Sequence, residues 1–260
     1  MFTRTPSPAE RPRPTRTPSD TDRLIPARTP SGTEKVPSEA LPSDGLSRFI
    51  RAGAWAAIVS GLGLAASLLL EWLVVPYSQL GEAEAYLTSS YLISSGLRWL
   101  STVLLLWALI GVYERQSRAA GTFGLWAFGV AFLGTALAAG ETWGEVFVWP
   151  TLAQVAPSVM SGQATEAPAY LFTGILLSNA LLGLGWILFG ASTLFRARVY
   201  PRWAGALMIV SIPVTMFLPP TPGTFYESIG QIMFGSALAA IGWHAVRIGP
   251  SHTSSSQGRA

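Results

Sequence analysis

Residues 49–75, FIRAGAWAAIVSGLGLAASLLLEWLVV, decide the fold class of this chain. The stretch exceeds the roughly 20 apolar residues with which a helix crosses a bilayer, and its charged residues, Arg51 and Glu71, stand near opposite ends. Four small residues recur at every fourth position and share one helix face: Gly53, Ala57, Gly61 and Ala65. The stretch therefore predicts a membrane-spanning helix that packs closely on another helix.

The composition extends this interpretation to the whole chain. Half of the 260 residues are hydrophobic and 12% are charged, whereas soluble domains carry about 25% charged residues. The chain has no Cys, which excludes disulfides, thiolate catalysis and thiolate metal sites. A net charge of +3 is too small to suggest a nucleic-acid partner, so the lipid bilayer is the expected partner.

Apolar blocks continue to the C-terminal region, and we interpret them as six transmembrane helices. Their approximate bounds are 49–75, 88–113, 120–148, 169–195, 203–218 and 227–246. The fifth is short and contains Pro213, so a kinked span is favoured there and a re-entrant segment is the alternative. Small residues also share faces in the third and sixth helices: Ala136, Gly140 and Gly144, then Gly235 and Ala239. These faces predict helix packing within the chain, or a homodimer interface.

The predicted fold class is all-α, a polytopic bundle of six transmembrane helices with two tails. Residues 1–47 are rich in Pro, Ser, Thr and Arg and show no apolar period, so we expect a disordered tail. Residues 48–247 form the six-helix transmembrane domain, and residues 248–260 form a disordered C-terminal tail.

The arginines between the blocks predict the orientation. Eight of them fall on one side of the predicted membrane: Arg48, Arg51, Arg115, Arg118, Arg196, Arg198, Arg202 and Arg247. The joints on the other side carry acidic residues and no Lys or Arg. The positive-inside rule then places both termini in the cytoplasm. Lys35 is the single Lys and Asn179 the single Asn, a bias that fits a GC-rich bacterial genome and hence the bacterial inner membrane.

The tail contains the motif RTPS three times, at 4–7, 16–19 and 28–31. A passive spacer is the first interpretation. The alternatives are a set of kinase sites at Thr5, Thr17 and Thr29, or translation that begins later, near Val36 or Leu46.

Seven polar residues stand at membrane depth, where an ionisable group usually faces a partner or a cavity. They are Glu71, Arg98, Glu141, Glu145, Asn179, Glu227 and Gln231. All except Asn179 are predicted in the outer half of the bilayer, and we expect Arg98 to bridge Glu71 and one third-helix carboxylate. The surplus of carboxylates suggests that one is protonated, or that a cation or cationic ligand binds. A structural network, a ligand or ion pocket and a proton-coupled site remain open.

Sequence motifs of catalysis are missing. The chain has no phosphate-binding glycine loop, no HExxH and no nucleophilic serine motif, so we expect no catalytic residues, metal or cofactor. The first functional hypothesis is a non-enzymatic structural, accessory or sensory membrane protein with a homodimer or membrane-protein partner. The alternatives are a small transporter or ligand-binding protein with an outer-leaflet polar pocket, and a lipid-active enzyme.

Three segments carry a family resemblance. They are LIGVYERQSRAAGTFGLWAFGVAFLGTALAAGETWGEVFVWPTLA from Leu109, LFGASTLFRARVYPRWAGALMIVSIPV, and GSALAAIGWHAVR. Their small and apolar residues with flanking arginines resemble a pattern common among uncharacterised bacterial multi-pass integral membrane proteins. The resemblance spans about residues 50–247. It implies a small helical membrane protein without an assigned activity and transfers no functional residue.

Overall fold

The computed structural model describes residues 43–160, 169–217 and 225–248, and the regular structure in these ranges is helical throughout. The helices are α1 (Ser43–Val74), α2 (Tyr77–Leu80), α3 (Glu82–Ala85), α4 (Ser89–Phe147), α5 (Trp149–Val155), α6 (Pro157–Met160), α7 (Ala169–Ala191), α8 (Arg202–Phe217) and α9 (Phe225–Ile248). A π-helical turn, Ser192–Ala197, continues α7. The all-α prediction is confirmed. Residues 249–260 of the predicted C-terminal tail and the RTPS motifs lie outside the described residues. Helix α1 begins at Ser43, inside the predicted N-terminal tail, and α9 ends at Ile248, the first residue of the predicted C-terminal tail.

Four of these helices are long and apolar enough to cross a membrane: Ser47–Val74, Ser89–Phe147, Thr173–Ala197 and Ser228–Ile248. Six were predicted. The number differs because α4 combines the second and third predicted spans in one 59-residue helix, and because α8, with 16 residues, is shorter than a typical span.

Helix α4 folds back on itself at one residue. The predicted joint after residue 113 stays helical through Arg115 and Arg118, and the helical geometry breaks only at Gly121, with φ 59° and ψ −155°. A positive φ favours glycine, which has no Cβ to clash. The rings of Tyr113 and Phe128 stack across this break with centroids 4.3 Å apart. We call residues 89–120 and 122–147 the first and second halves of α4.

The halves of α4 are antiparallel. Thr88 begins the first half by accepting a hydrogen bond from the Tyr91 N–H, as N-cap residues do. The Tyr91 hydroxyl then donates to the Glu145 carbonyl at 3.4 Å, near the end of the second half. The start and the end of α4 therefore meet at the same end of the molecule, while Gly121 lies at the other.

The long helices close into a ring. Helix α1 packs between the first half of α4 and α9, and α9 packs on α8. Helix α8 packs on α7, which packs on the second half of α4. The antiparallel halves of α4 complete the circle, so the described residues form a ring of six helical segments.

Glycines stand where the backbones of this ring approach most closely. A Cβ added to Gly53 would lie 2.7 Å from the Gly111 Cα, and one added to Gly61 would strike the Gly235 carbonyl. The small faces predicted for the first and sixth helices are therefore confirmed as packing surfaces.

The small face predicted for the third helix is wrong as a packing surface within this chain. A Cβ added to Gly140 or Gly144 would meet no atom of the described residues within 4 Å. The second half of α4 instead packs through Gly134, whose added Cβ would lie 2.5 Å from the Leu182 backbone nitrogen. The two faces differ because Gly134 faces α7 and the predicted residues face outward.

Two matched glycine substitutions test this packing. Gly61→Ala should lower the free energy of unfolding by about 1–3 kcal/mol, because its methyl group must separate α1 from α9. Gly140→Ala should leave stability unchanged or raise it by about 1 kcal/mol, because the site is open and Ala is the better helix former. Equilibrium denaturation in detergent micelles measures both values. Equal effects of the two variants would contradict the close contact.

Candidate functional site

A cavity of about 750 Å³ lies between the helices of the ring and is partly open, since its lining residues Leu176 and Met216 are exposed. All six helical segments contribute to its lining, which is mostly apolar and carries a few polar groups. Both the volume and this mixture are typical of sites for small organic molecules, which span roughly 300–1,000 Å³.

The spacing of residues along α4 explains two walls. In the first half, Arg98, Thr102 and Leu105 line the cavity at positions i, i+4 and i+7. In the second half, the lining residues follow the same helical period: Ala138, Glu141, Thr142 and Glu145. Residues at these intervals share one helix face, so each half presents one polar and apolar face to the cavity.

Helices α7 and α9 supply an aromatic wall. Trp186 is 1% exposed, and its Nε1–H donates to the Thr135 hydroxyl at 3.0 Å. The Phe234 ring lies edge-to-face against Trp186, with centroids 4.9 Å apart. The hydrogen bond and the ring contact orient the indole at the cavity wall.

Arg98 joins three helical segments by ion pairs. Its guanidinium contacts the Glu71 carboxylate of α1 and lies 3.5 Å from Glu145 Oε2 of the second half of α4. The expected bridge between Glu71 and a third-helix carboxylate is therefore present, with Glu145 as the second partner. Guanidinium and carboxylate groups at this depth need such partners, because hydrocarbon does not solvate charge.

Two tyrosines support these ion pairs. The Tyr77 hydroxyl donates to Glu71 Oε1 at 2.7 Å. Burial, reinforced by the Glu71 carboxylate, raises the pKa of Tyr77 above its usual range, so the phenol keeps its proton and remains a donor. Tyr91 packs against Tyr86, with centroids 4.8 Å apart, and places its hydroxyl at the Glu145 carbonyl. We call Glu71, Arg98, Glu145, Tyr77 and Tyr91 the ion-pair cluster.

Glu141 lies outside this cluster. The Asn179 Nδ2 amide donates to its two carboxylate oxygens at 3.3 and 3.4 Å. Among the described residues, no basic side chain lies within ion-pair distance of Glu141. Glu141 is half-buried and Asn179 is exposed, and both lie within candidate membrane spans. A carboxylate without a basic partner costs free energy in hydrocarbon unless another group contacts it.

The structure brings together most of the residues predicted at membrane depth. Five of them line the cavity: Arg98, Glu141, Glu145, Asn179 and Gln231. Glu71 stands behind Arg98 and does not line it. Glu227 belongs to the first turn of α9, and the structure describes its backbone but not its side chain. Whether these residues bind a ligand stays a prediction.

Several residues of the site escaped sequence reasoning. Tyr91 gave no signal, because its partner is the backbone carbonyl of Glu145, which is distant in sequence. Tyr77 gave none because it lies beyond the end of α1, and only the local fold after α1 returns its hydroxyl to Glu71. Trp186 did give a usable sequence signal. It stands in the middle of a predicted span, whereas membrane tryptophans concentrate at the interfaces.

No protein-family model, curated protein or solved structure matches this chain.

Removing the guanidinium should destabilise the fold. Arg98→Gln leaves the Glu71 and Glu145 carboxylates unpaired, and breaking such a buried pair costs about 3–5 kcal/mol. Adding Glu71→Gln and Glu145→Gln should recover most of this loss, because no unpaired charge then remains in the ion-pair cluster. Thermal unfolding in micelles measures the series, with Glu84→Gln on the exposed surface of α3 as the control. If the triple variant is less stable than Arg98→Gln, the role assigned to the ion pairs is wrong.

Proposed function

We propose that this chain is a multi-pass membrane protein that binds a small, largely apolar molecule in the cavity of its helical ring. The observation that carries the proposal is the cavity itself, about 750 Å³ in volume, with polar groups from α4, α7 and α9 on a mostly apolar lining. This combination suits a molecule with an apolar body and one polar head. A small transporter or a ligand-sensing protein would both use such a site.

The proposed topology has six crossings with both termini in the cytoplasm of a bacterium. The antiparallel halves of α4 support two crossings by that helix. Helix α8 packs on α7 and α9 as a member of the ring, which supports a crossing despite its length. The eight arginines predicted on one side support the orientation.

A structural or accessory role is the second candidate. The ion-pair cluster favours it, because Glu71, Arg98 and Glu145 tie α1 to both halves of α4. A homodimer or another membrane protein would be the partner. A lipid-active enzyme has less support, because Glu145 is engaged by Arg98 and Glu141 by Asn179, so the two carboxylates do not converge on one position.

The absence of Cys makes the topology directly testable by single cysteines. Glu84→Cys and Phe217→Cys should react with a membrane-impermeant maleimide in intact cells, because both positions are exposed and lie on the proposed outer side. Arg118→Cys and Arg198→Cys should react only after permeabilisation. Labelling of Phe217→Cys only after permeabilisation, together with Arg198→Cys, would show that α8 does not cross.

A cavity-blocking substitution tests ligand binding. Ala180 lines the cavity, so Ala180→Trp should fill part of it and weaken the binding of 1-decanol by about tenfold or more. Leu177→Trp is the matched control, because Leu177 lies on the same helix, is exposed and does not line the cavity. Native mass spectrometry from micelles counts the bound alcohol. Equal binding by wild type and both variants would place the alcohol elsewhere and count against this site.

A further inference from the structure

The cavity contains more carboxylates than its basic groups neutralise. Glu71, Glu141 and Glu145 lie at or beside it, and Arg98 is the basic side chain that lines it among the described residues. Resting on the proposed ligand-binding function, we propose that the ligand is an organic cation, an ammonium group on an apolar chain, and that Glu141 is its counter-ion.

The geometry selects Glu141 among the three carboxylates. Glu71 and Glu145 both contact the Arg98 guanidinium, and Glu71 also accepts the Tyr77 hydroxyl. Glu141 forms no ion pair among the described residues, and the neutral Asn179 amide donates to it at 3.3 and 3.4 Å, distances that leave its oxygens able to accept shorter hydrogen bonds. An ammonium N–H donor would form a charge-assisted bond there, which is shorter and stronger than a bond from an amide.

The other polar residues fit a cationic head. Asn179 contacts the Glu141 carboxylate from α7, and Gln231 lines the cavity from α9 with a side-chain carbonyl that can accept a further N–H. An anionic head is disfavoured because the Arg98 guanidinium is already shared by two carboxylates. Within the described ranges, no three His, Asp or Glu residues lie close enough to hold a metal ion, so an organic cation is the better match.

The rest of the lining fits an apolar chain. Leu64, Leu105, Ile212 and Met216 supply aliphatic surface from three helices. Trp186 and Phe234 add aromatic surface, on which alkyl groups pack well and near which a cation is stabilised by the ring electrons. The carboxylate of Glu141 and the large apolar lining together favour an ammonium group on an apolar chain.

Three probes of equal chain length test the charge of the ligand. Decylammonium, 1-decanol and decanoate are titrated into the full-length protein in lipid nanodiscs, and empty nanodiscs correct for partition into lipid. Wild type should bind decylammonium about tenfold or more tighter than 1-decanol, the gain expected of one hydrogen bond to a charged group. Decanoate should bind more weakly than 1-decanol.

Variants of Glu141 assign the preference to that residue. Glu141→Gln should reduce the ratio of the two dissociation constants to about one while 1-decanol still binds. Glu141→Asp should keep much of the preference, and Glu84→Gln on the surface should keep all of it. A Glu141→Gln variant that fails to fold is recognised by its thermal unfolding, and the wild-type comparison of the three probes then decides alone.

The outcomes separate this inference from the proposed function. If 1-decanol binds in the cavity as tightly as decylammonium, or decanoate binds most tightly, the cationic ligand is wrong and the ligand-binding function stands. If Glu141→Gln folds and keeps the full preference for the amine, Glu141 is not the counter-ion. If none of the three probes binds, the proposed function itself is overturned.

Discussion

Close backbone contact at glycine is the constraint on which the ring of helices depends. Lipid chains are as apolar as leucine, so helices in a bilayer associate through packing and polar contacts and gain little from burial alone. Three neighbouring pairs of helices in the ring are joined by such contacts: Gly53–Gly111, Gly61–Gly235 and Gly134–Leu182. Between α7 and α8, a Cβ added to Gly190 would lie 3.0 Å from the Gly205 carbonyl. Helices held at backbone distance cannot slide without a clash, so these contacts fix the positions of the helices that form the cavity walls.

Arg98 adds the second constraint, at the end of the bundle where α4 begins and ends. Its guanidinium must be neutralised at this depth, and Glu71 and Glu145 achieve this from two neighbouring segments. Tyr77 then donates a hydrogen bond to the Glu71 carboxylate, and Tyr91 donates one to the backbone carbonyl of Glu145. The layer of polar residues therefore divides into the ion-pair cluster, which holds α1 against both halves of α4, and the Glu141–Asn179 pair, which faces the cavity.

The sequence predicted the helical class and the positions of most helices, because apolar length and small-residue spacing are local patterns. It missed the continuity of α4, since Arg115 and Arg118 resemble a loop although both are good helix formers and Gly121 makes the turn. The candidate residues were found because polar groups are conspicuous in apolar spans. Their partners were harder: Arg98 had three carboxylates to choose from, and only the approach of the two halves of α4 selects Glu145 over Glu141. The outward direction of Gly140 likewise depends on where α7 packs.

The different surroundings of Glu141 and Glu145 bear most directly on function. The two carboxylates stand one helical turn apart on one face, so the local sequence makes them equivalent. Tertiary structure does not: Glu145 is buried and forms an ion pair with Arg98, which it shares with Glu71, whereas Glu141 is half-buried, bonded to a neutral amide and open to the cavity. A role confined to holding helices together accounts for Glu71, Arg98 and Glu145, because each joins segments that pack against each other. It does not account for Glu141. A carboxylate at membrane depth is costly, and an amide–carboxylate contact at 3.3 Å is too weak to offset that cost. A group that enters the cavity and contacts Glu141 would offset that cost. The cavity, and not the ion-pair cluster, is therefore the part of the structure that favours a ligand.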